Sequence, residues 1–99
     1  MAINTVNVTV TTAGTRVQVS TTRIPAAWVN IMGALANAGS IFIGDSNVSS
    51  TQGQAAGAGG GAGSPQYPPV SGISPYNLED IYIDAANNGD IAQVTYLTR

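Results

Sequence analysis

In the stretch TVNVTVTT, residues 5–12, apolar and polar side chains alternate from Thr5 through Thr11. Val6, Val8 and Val10 point to one side; Thr5, Asn7, Thr9 and Thr11 point to the other. Period two belongs to a strand with one buried face and rules out an amphipathic helix over these residues. After Ala13-Gly14, the stretch TRVQVS alternates in the same way. A tight turn there predicts a hairpin in which Val10 faces Val17 and Val8 faces Val19. Thr9 then faces Gln18, and Thr11 faces Arg16, on the polar side. Ala13 suits a primed turn poorly, because that turn wants positive φ at its first central position. A slightly longer loop serves the same register.

Further along, Pro25 interrupts the pattern, since it has no N–H to give a ladder. AAWVNIMGAL, residues 26–35, reads as a strand with Val29 and Ile31 on one face and Trp28, Asn30 and Met32 on the other. NAGS at 37–40 is a turn, and IFIG at 41–44 is a short strand. The C-terminal IYIDAANNGDIAQVTYL contains Asn88-Gly89, the preferred pair for a type I′ turn. A hairpin about that turn sets Ile83 against Val94, Ile81 against Tyr96 and Ala85 against Ala92. Tyr82 then meets Thr95, and Asp84 meets Gln93. Ile81, Ile83, Val94 and Tyr96 are expected in the core. Only PYNLED, residues 75–80, suits a helical turn. The expectation is an all-β fold: a small β-sandwich, jelly-roll-like, of about six or seven short antiparallel strands.

Between these strands lies STQGQAAGAGGGAGSPQYPPV, residues 50–70, which has few side chains able to pack a core. The 99 residues suit a single domain, 1–99, with 50–72 as a Gly/Ala/Pro-rich loop or arm. A chain of this length buries ~65% of its unfolded surface, and the glycine stretch thins that core further. Small folds often need a staple. With no cysteine and no histidine there is neither a disulfide nor the usual zinc ligand set, which leaves oligomerisation.

Charge narrows the choice of partners. Arg16, Arg23 and Arg99 face Asp45, Glu79, Asp80, Asp84 and Asp90, and lysine is absent. At 8% charged residues the chain falls far below the roughly 25% of ordinary soluble domains. A polar but weakly charged surface suits contact with protein. Three scattered arginines make no basic stripe, so nucleic acid is not an expected partner. Nothing approaches the length of an apolar membrane span, and the first ten residues lack a signal peptide's basic and hydrophobic regions. Synthesis and use without Sec export are expected, which deprives the glycosylation-like NVT at Asn7 and NVS at Asn47 of meaning.

Several short matches to chemical motifs lack the context that the chemistry requires. Gly57, Gly59 and Ala62 fit G-x-G-x-x-A, but a nucleotide site needs an apolar strand before and a helix after. SSTQGQAA precedes and Pro65, Pro68 and Pro69 follow, which forbids the helix. PQYP at 65–68 has the P-x-x-P spacing, without a flanking basic residue, and reads as an extended connector. DAANNGD from Asp84 places Asp84, Asn88 and Gly89 at calcium-loop positions, yet Ala86 and Thr95 occupy positions that should carry ligands. Serine and threonine hydroxyls have no histidine or lysine to activate them. Glu79 and Asp80 diverge if the chain is extended, and only an unknown fold brings Asp45 near them. Trp28, Tyr67 and Tyr76 offer the aromatic faces of a sugar platform; Trp28 reads more simply as core and the tyrosines as loop anchors.

IFIGDSNVSSTQG and ISPYNLEDIYIDAANNGDIAQVTYL, together with the alternating Val/Thr start and its TAGTRVQ turn, resemble a recurring pattern in small tailed-bacteriophage proteins. The pattern runs through I-x-I-G-D-S-x-V at Ile41–Val48 and a polar loop at Gly53. It ends in L-x-D-I-Y-I-D-A…G-D-x-x-x-V-x-Y over Leu78–Tyr96. It covers most of the chain, and its motifs are structural rather than chemical. The resemblance implies a virion structural protein, most closely a capsid cement (decoration) protein, made in the host cytoplasm and seated on the capsid exterior over capsomer junctions. It implies no enzymatic activity and no cofactor. The implied partners are the major capsid protein and further copies of the chain, a trimer being favoured, with neither nucleic acid nor membrane. AAGAGGGAGSPQYPP stands where the pattern has a shorter loop, which leaves the conformation of residues 52–72 open.

The residues expected to make contacts are Ala2, Ile3, Asn4 and Thr5, the loop residues Gln52, Gly53, Gly57, Gly59, Gly60, Gly61, Gly63, Pro65, Tyr67, Pro68 and Pro69, and Arg99. The glycine segment either orders against a neighbour or is a surface loop; its entropy cost on ordering is high in both cases. Two other functions fit the same sequence. One is a tail, fibre or head-fibre subunit, and the other a small carbohydrate-binding module built on Trp28 and the tyrosines.

Overall fold

A computed structural model describes residues 2–34, 37–56, 66–67 and 76–98, with Ala56, Gln66 and Tyr67 described by their backbone. The described residues form ten strands: β1 (Ala2–Val10), β2 (Val17–Gln18), β3 (Pro25–Ala26), β4 (Trp28–Gly33), β5 (Ile41–Gly44), β6 (Gln54–Ala56), β7 (Gln66–Tyr67), β8 (Tyr76–Asn77), β9 (Tyr82–Ala85) and β10 (Asp90–Thr98). A 3₁₀ turn at Leu78–Asp80 is the helical turn expected of PYNLED. Asn77 caps it, its Oδ1 accepting from the N–H of Glu79 (3.2 Å) and of Ile24 (3.2 Å).

One sheet has the order β1-β10-β4-β7, a second the order β2-β9-β5-β6, and β3 pairs with β8 apart from both. These pairings describe one antiparallel ribbon folded on itself. Val10 faces Asp90 and Val17 faces Ile83, so in both pairings residue i lies opposite residue 100 − i. The ribbon continues inward through β3/β8, β4/β7 and β5/β6 to a tip where Ser49 bridges Gln52. A ribbon whose rungs, the short β3/β8 pair aside, alternate between two four-stranded sheets is a jelly roll, and the all-β sandwich expectation holds. Four of these strands have only two described residues, which is why the sequence suggests fewer.

The alternation places the core as expected. Val8 and Val10 of β1, Val29 and Ile31 of β4, and Ala92 and Val94 of β10 meet Ile41 and Ile43 of β5 and Ile83 and Ala85 of β9. Leu78 and Val48 are also buried. Ile81 and Tyr96, expected in the core, pack against it half-buried. Trp28 does not join it. It alternates outward from Val29 and Ile31 and is half-buried on the outer face of its sheet.

Both predicted hairpins are corrected. β1 pairs with β10 and β2 with β9; neither β1/β2 nor β9/β10 forms a ladder. The reason lies in the turns. Type I′ needs positive φ at both central residues, but only Gly14 (φ 88°) and Gly89 (φ 82°) have it, and neither Ala13 nor Asn88 does. Turns without the primed twist splay the chain, and each of these carries it from one sheet to the other. The two turns pack together instead. Ala13 N–H donates to Asn88 Oδ1 (2.8 Å), Gly14 N–H to Asp84 Oδ1 (2.9 Å) and Gly89 N–H to the Val10 carbonyl (2.7 Å).

The predicted 50–72 loop is also shorter than expected at its start, since β6 reaches Ala56. Gln66-Tyr67, the middle of PQYP, runs as a strand beside Val29 and Asn30 of β4 rather than as an isolated connector.

Candidate functional site

The wrap sends its connections to two ends of the sandwich. Residues 11–16, 34, 37–40 and 86–89 gather at one end; 19–27, 44–53 and 78–81 gather at the other, beside Ala2 and Thr98. The two ends differ in chemistry.

At the first end, acidic and amide side chains are consumed by the backbone. Asp84 is 2% exposed, and its Oδ1 accepts from the N–H of Gly14 (2.9 Å) and Ala85 (2.8 Å). Asp90 is 5% exposed; its two oxygens accept from the N–H of Ala38 (2.9 Å) and Gly39 (3.0 Å). Asn37 pairs like a strand residue with Ile91, its Nδ2 donating to the carbonyl and its Oδ1 accepting from the N–H, both at 2.8 Å. The calcium-like spacing of DAANNGD is thus accounted for by turn hydrogen bonds. Such bonds to charged acceptors are stronger than neutral ones, and here they close the end of the sandwich.

The second end carries the open features. The I-x-I-G-D-S-x-V motif ends β5 in a turn: Asp45 Oδ1 accepts from Asn47 N–H (2.9 Å), and the Val48 N–H donates to the Asp45 carbonyl (3.0 Å). This folds the buried Val48 back over Gly44 and Gly53. Gly53, at φ 135°, has no room for a side chain: a Cβ there would sit 2.7 Å from Val48 Cγ2 and 2.8 Å from the Ile43 carbonyl oxygen. Beside the turn lies an open depression of about 510 Å³ lined by Gln18, Asp45, Ser46, Glu79, Asp80 and Tyr82. A shallower hollow of about 370 Å³, lined partly by Gln52, Gly53 and Gln54, adjoins it through Asp45.

The fold therefore brings Asp45 to Glu79 and Asp80, which sequence spacing leaves apart. The antiparallel register of β5 on β9 sets Gly44 against Tyr82, so the residues just outside those strands become neighbours. No local motif signals this, because the two strands lie far apart in the chain. Chemically the depression offers hydrogen-bond acceptors, an amide and one aromatic ring. Among the described residues no group of three or more acidic side chains is arranged to hold a metal ion. Gln18 is already engaged, its Nε2 donating to the Glu79 carbonyl at 2.7 Å.

The predicted contact residues divide. Ala2, Ile3, Asn4 and Thr5 lie on β1, at the same end of the sandwich as Gln52 and Gly53 but on the other sheet. Ile3, 72% exposed, is the exposed large hydrophobic residue among those described. It faces Leu97, which in turn faces Trp28, so an apolar row crosses three strands on the outer face. That row escapes sequence reading because its members come from three separate segments. Tyr67 contributes a backbone pairing with Val29. Gly57, Gly59, Gly60, Gly61, Gly63, Pro65, Pro68, Pro69 and Arg99 lie outside the described residues, as do Gly57, Gly59 and Ala62 of the nucleotide-like spacing. Of the aromatic residues considered for a platform, Trp28 looks outward, against its expected place in the core, and Tyr76 packs against the core, whereas the Tyr67 side chain lies outside the described residues. Among the described residues, no helix is long and apolar enough to cross a membrane.

Compared with known proteins, the chain matches no family model, no curated protein and no solved structure.

Proposed function

We propose that the chain is a structural component of a bacteriophage virion, a cement protein that binds the major capsid protein and further copies of itself on the outside of the head. One observation carries this reading. Asp84 and Asp90, with Asn37 and Asn88, act as internal ties, which leaves Asp45, Glu79 and Asp80 as the acidic side chains of a weakly charged exterior. That division suits a module whose work is contact rather than catalysis. The motifs that resemble phage proteins also have architectural explanations: Asp45 and Val48 shape the turn after β5, and Asp84 and Asp90 tie the far end. Many weak contacts, repeated over a lattice, would offset the pressure of packaged DNA through multivalency.

The test is quantitative peptide mass spectrometry of virions from the source, giving the molar ratio of this chain to the major capsid protein. A ratio near unity supports lattice-wide decoration. A ratio of a few per cent moves the chain to a tail, fibre or vertex, and absence from particles defeats the reading.

The depression beside Tyr82 favours one second reading, a small carbohydrate-binding module with Tyr82 as its aromatic contact in place of Trp28. A glycan array separates the two, because cement function predicts no binding there.

A further inference from the structure

β1 is an open edge. In its sheet it pairs only with β10, and no described strand lies beyond it. The hydrogen bonds of β10 show which groups of β1 are left over. Ile91 and Leu97 turn their carbonyls towards the β4 side, accepting from the N–H of Ala34 (3.1 Å) and Ala27 (2.8 Å). The odd-numbered residues of β10 therefore serve that side, and the even-numbered ones serve β1. By the register, the even residues of β1 bond to β10, and the N–H and C=O of Ile3, Thr5, Asn7 and Thr9 point outward from the sheet.

Such a row is a template for another strand, and natural proteins blunt it with lysine, proline, bulges or short length. β1 has none of these. It runs nine residues, AINTVNVTV, without a charge or a proline, and its register against β10 is unbroken from Ala2 to Val10. The other sheet edges, β2, β6 and β7, have two or three described residues each.

We infer that β1 is the pairing site for β1 of a second copy of this chain, antiparallel about a two-fold axis, which joins two four-stranded sheets into one. Self-pairing suits this strand because it brings no like charges together, whereas like charges directly opposite are destabilising. The parity of the outward groups fixes the register. Odd residues must meet odd residues. The arrangement that uses all four sets Ile3 against Thr9 and Thr5 against Asn7 of the other copy, with Val6 facing its own counterpart on the axis. Shifting by two positions leaves one pair unmade. The inference does not depend on the virion reading and is tested on the isolated protein.

The chain has no cysteine, so single substitutions give clean cross-links. In Val6→Cys the two sulfurs meet at a non-hydrogen-bonded pair, where Cα atoms ~4.5 Å apart fall within disulfide range. In Ile3→Cys the two sulfurs lie six positions apart along the pair, ~20 Å, and stay reduced. Sedimentation of the parent chain should show a concentration-dependent dimer. Thr5→Pro removes an outward N–H and no internal bond; its dimer should dissociate about tenfold more readily while thermal unfolding of the monomer is retained. Cross-linking of Ile3→Cys but not Val6→Cys would overturn the inference in favour of contact through the Ile3–Leu97–Trp28 row. A monomer at every concentration, with neither variant cross-linking, would overturn it and leave the edge to a strand of another protein. Should Thr5→Pro fail to fold, the cysteine pair decides alone.

Discussion

Asp84 gives the sharpest stability test of the corner that joins the two sheets. Its carboxylate is 2% exposed and accepts from Gly14 N–H, 70 positions away in the chain, and from Ala85 N–H. Asp84→Ala leaves the Ala85 N–H without an acceptor in a buried site and the Gly14 N–H without one in a part-buried site. At about 1–3 kcal/mol for the buried donor and about 1 kcal/mol for the part-buried one, the cost is about 2–4 kcal/mol. Against the 5–15 kcal/mol that ordinarily separates folded from unfolded domains, this is a large share. For a domain near this size it corresponds to a fall in Tm of roughly 10–25 °C. Asp84→Asn keeps one acceptor oxygen and should lose about 1 kcal/mol. Asn88→Ala, whose partner Ala13 N–H is exposed and can turn to water, should cost less than about 1 kcal/mol. Urea unfolding followed by Trp28 fluorescence measures all three. If Asp84→Ala falls within 0.5 kcal/mol of the parent, at the ordinary level of surface substitutions, the carboxylate is not the tie described here.

Three further outcomes are expected. Gly53→Ala should cost about 1–3 kcal/mol in chemical unfolding, because φ 135° is strained for alanine and the added Cβ meets the Ile43 carbonyl oxygen. Ile31→Ala, fully buried between the sheets, should cost about 2–5 kcal/mol by the same assay. Glu79→Gln with Asp80→Asn, at the open depression, should leave stability within about 0.5 kcal/mol, since neither side chain holds a backbone donor there.

How the fold reads from the sequence can be judged strand by strand. Alternation identifies the buried face of β1, β4 and β5 because Val8, Val10, Val29, Ile31, Ile41 and Ile43 need only point the same way. It does not identify partners. Val8 and Val10 are equally well buried opposite Ala92 and Asp90 as opposite Val19 and Val17. The choice between them rests on the sign of φ at Ala13 and Asn88, which composition suggests only for the glycine beside each. The candidate end was less legible than the core. Asp45 meets Glu79 and Asp80 through the β5/β9 register, and the open edge of β1 exists only once β10 has taken its other side.

The nested ribbon also implies an order of assembly. Its rungs grow more distant in sequence from tip to termini: Ser49 and Gln52 are three positions apart, Ile43 and Gln54 eleven (54 minus 43), and Ala2 and Thr98 are 96 apart. Loop-closure entropy rises with separation, so closing β1 on β10 first would be the costliest start, whereas each inner rung shortens the loop that the next must close. The transition state should therefore contain β5 and β6 and lack most of β1/β10. Ile43→Val should act mainly on the folding rate and Val94→Ala mainly on the unfolding rate, as stopped-flow chevrons in urea resolve. Both sites are buried, at 1% and 0% exposure, so each change is large enough for the partition to be read. The opposite partition, with Val94→Ala slowing folding and leaving unfolding unchanged, would mean that the termini pair first and that the ribbon closes inward from them.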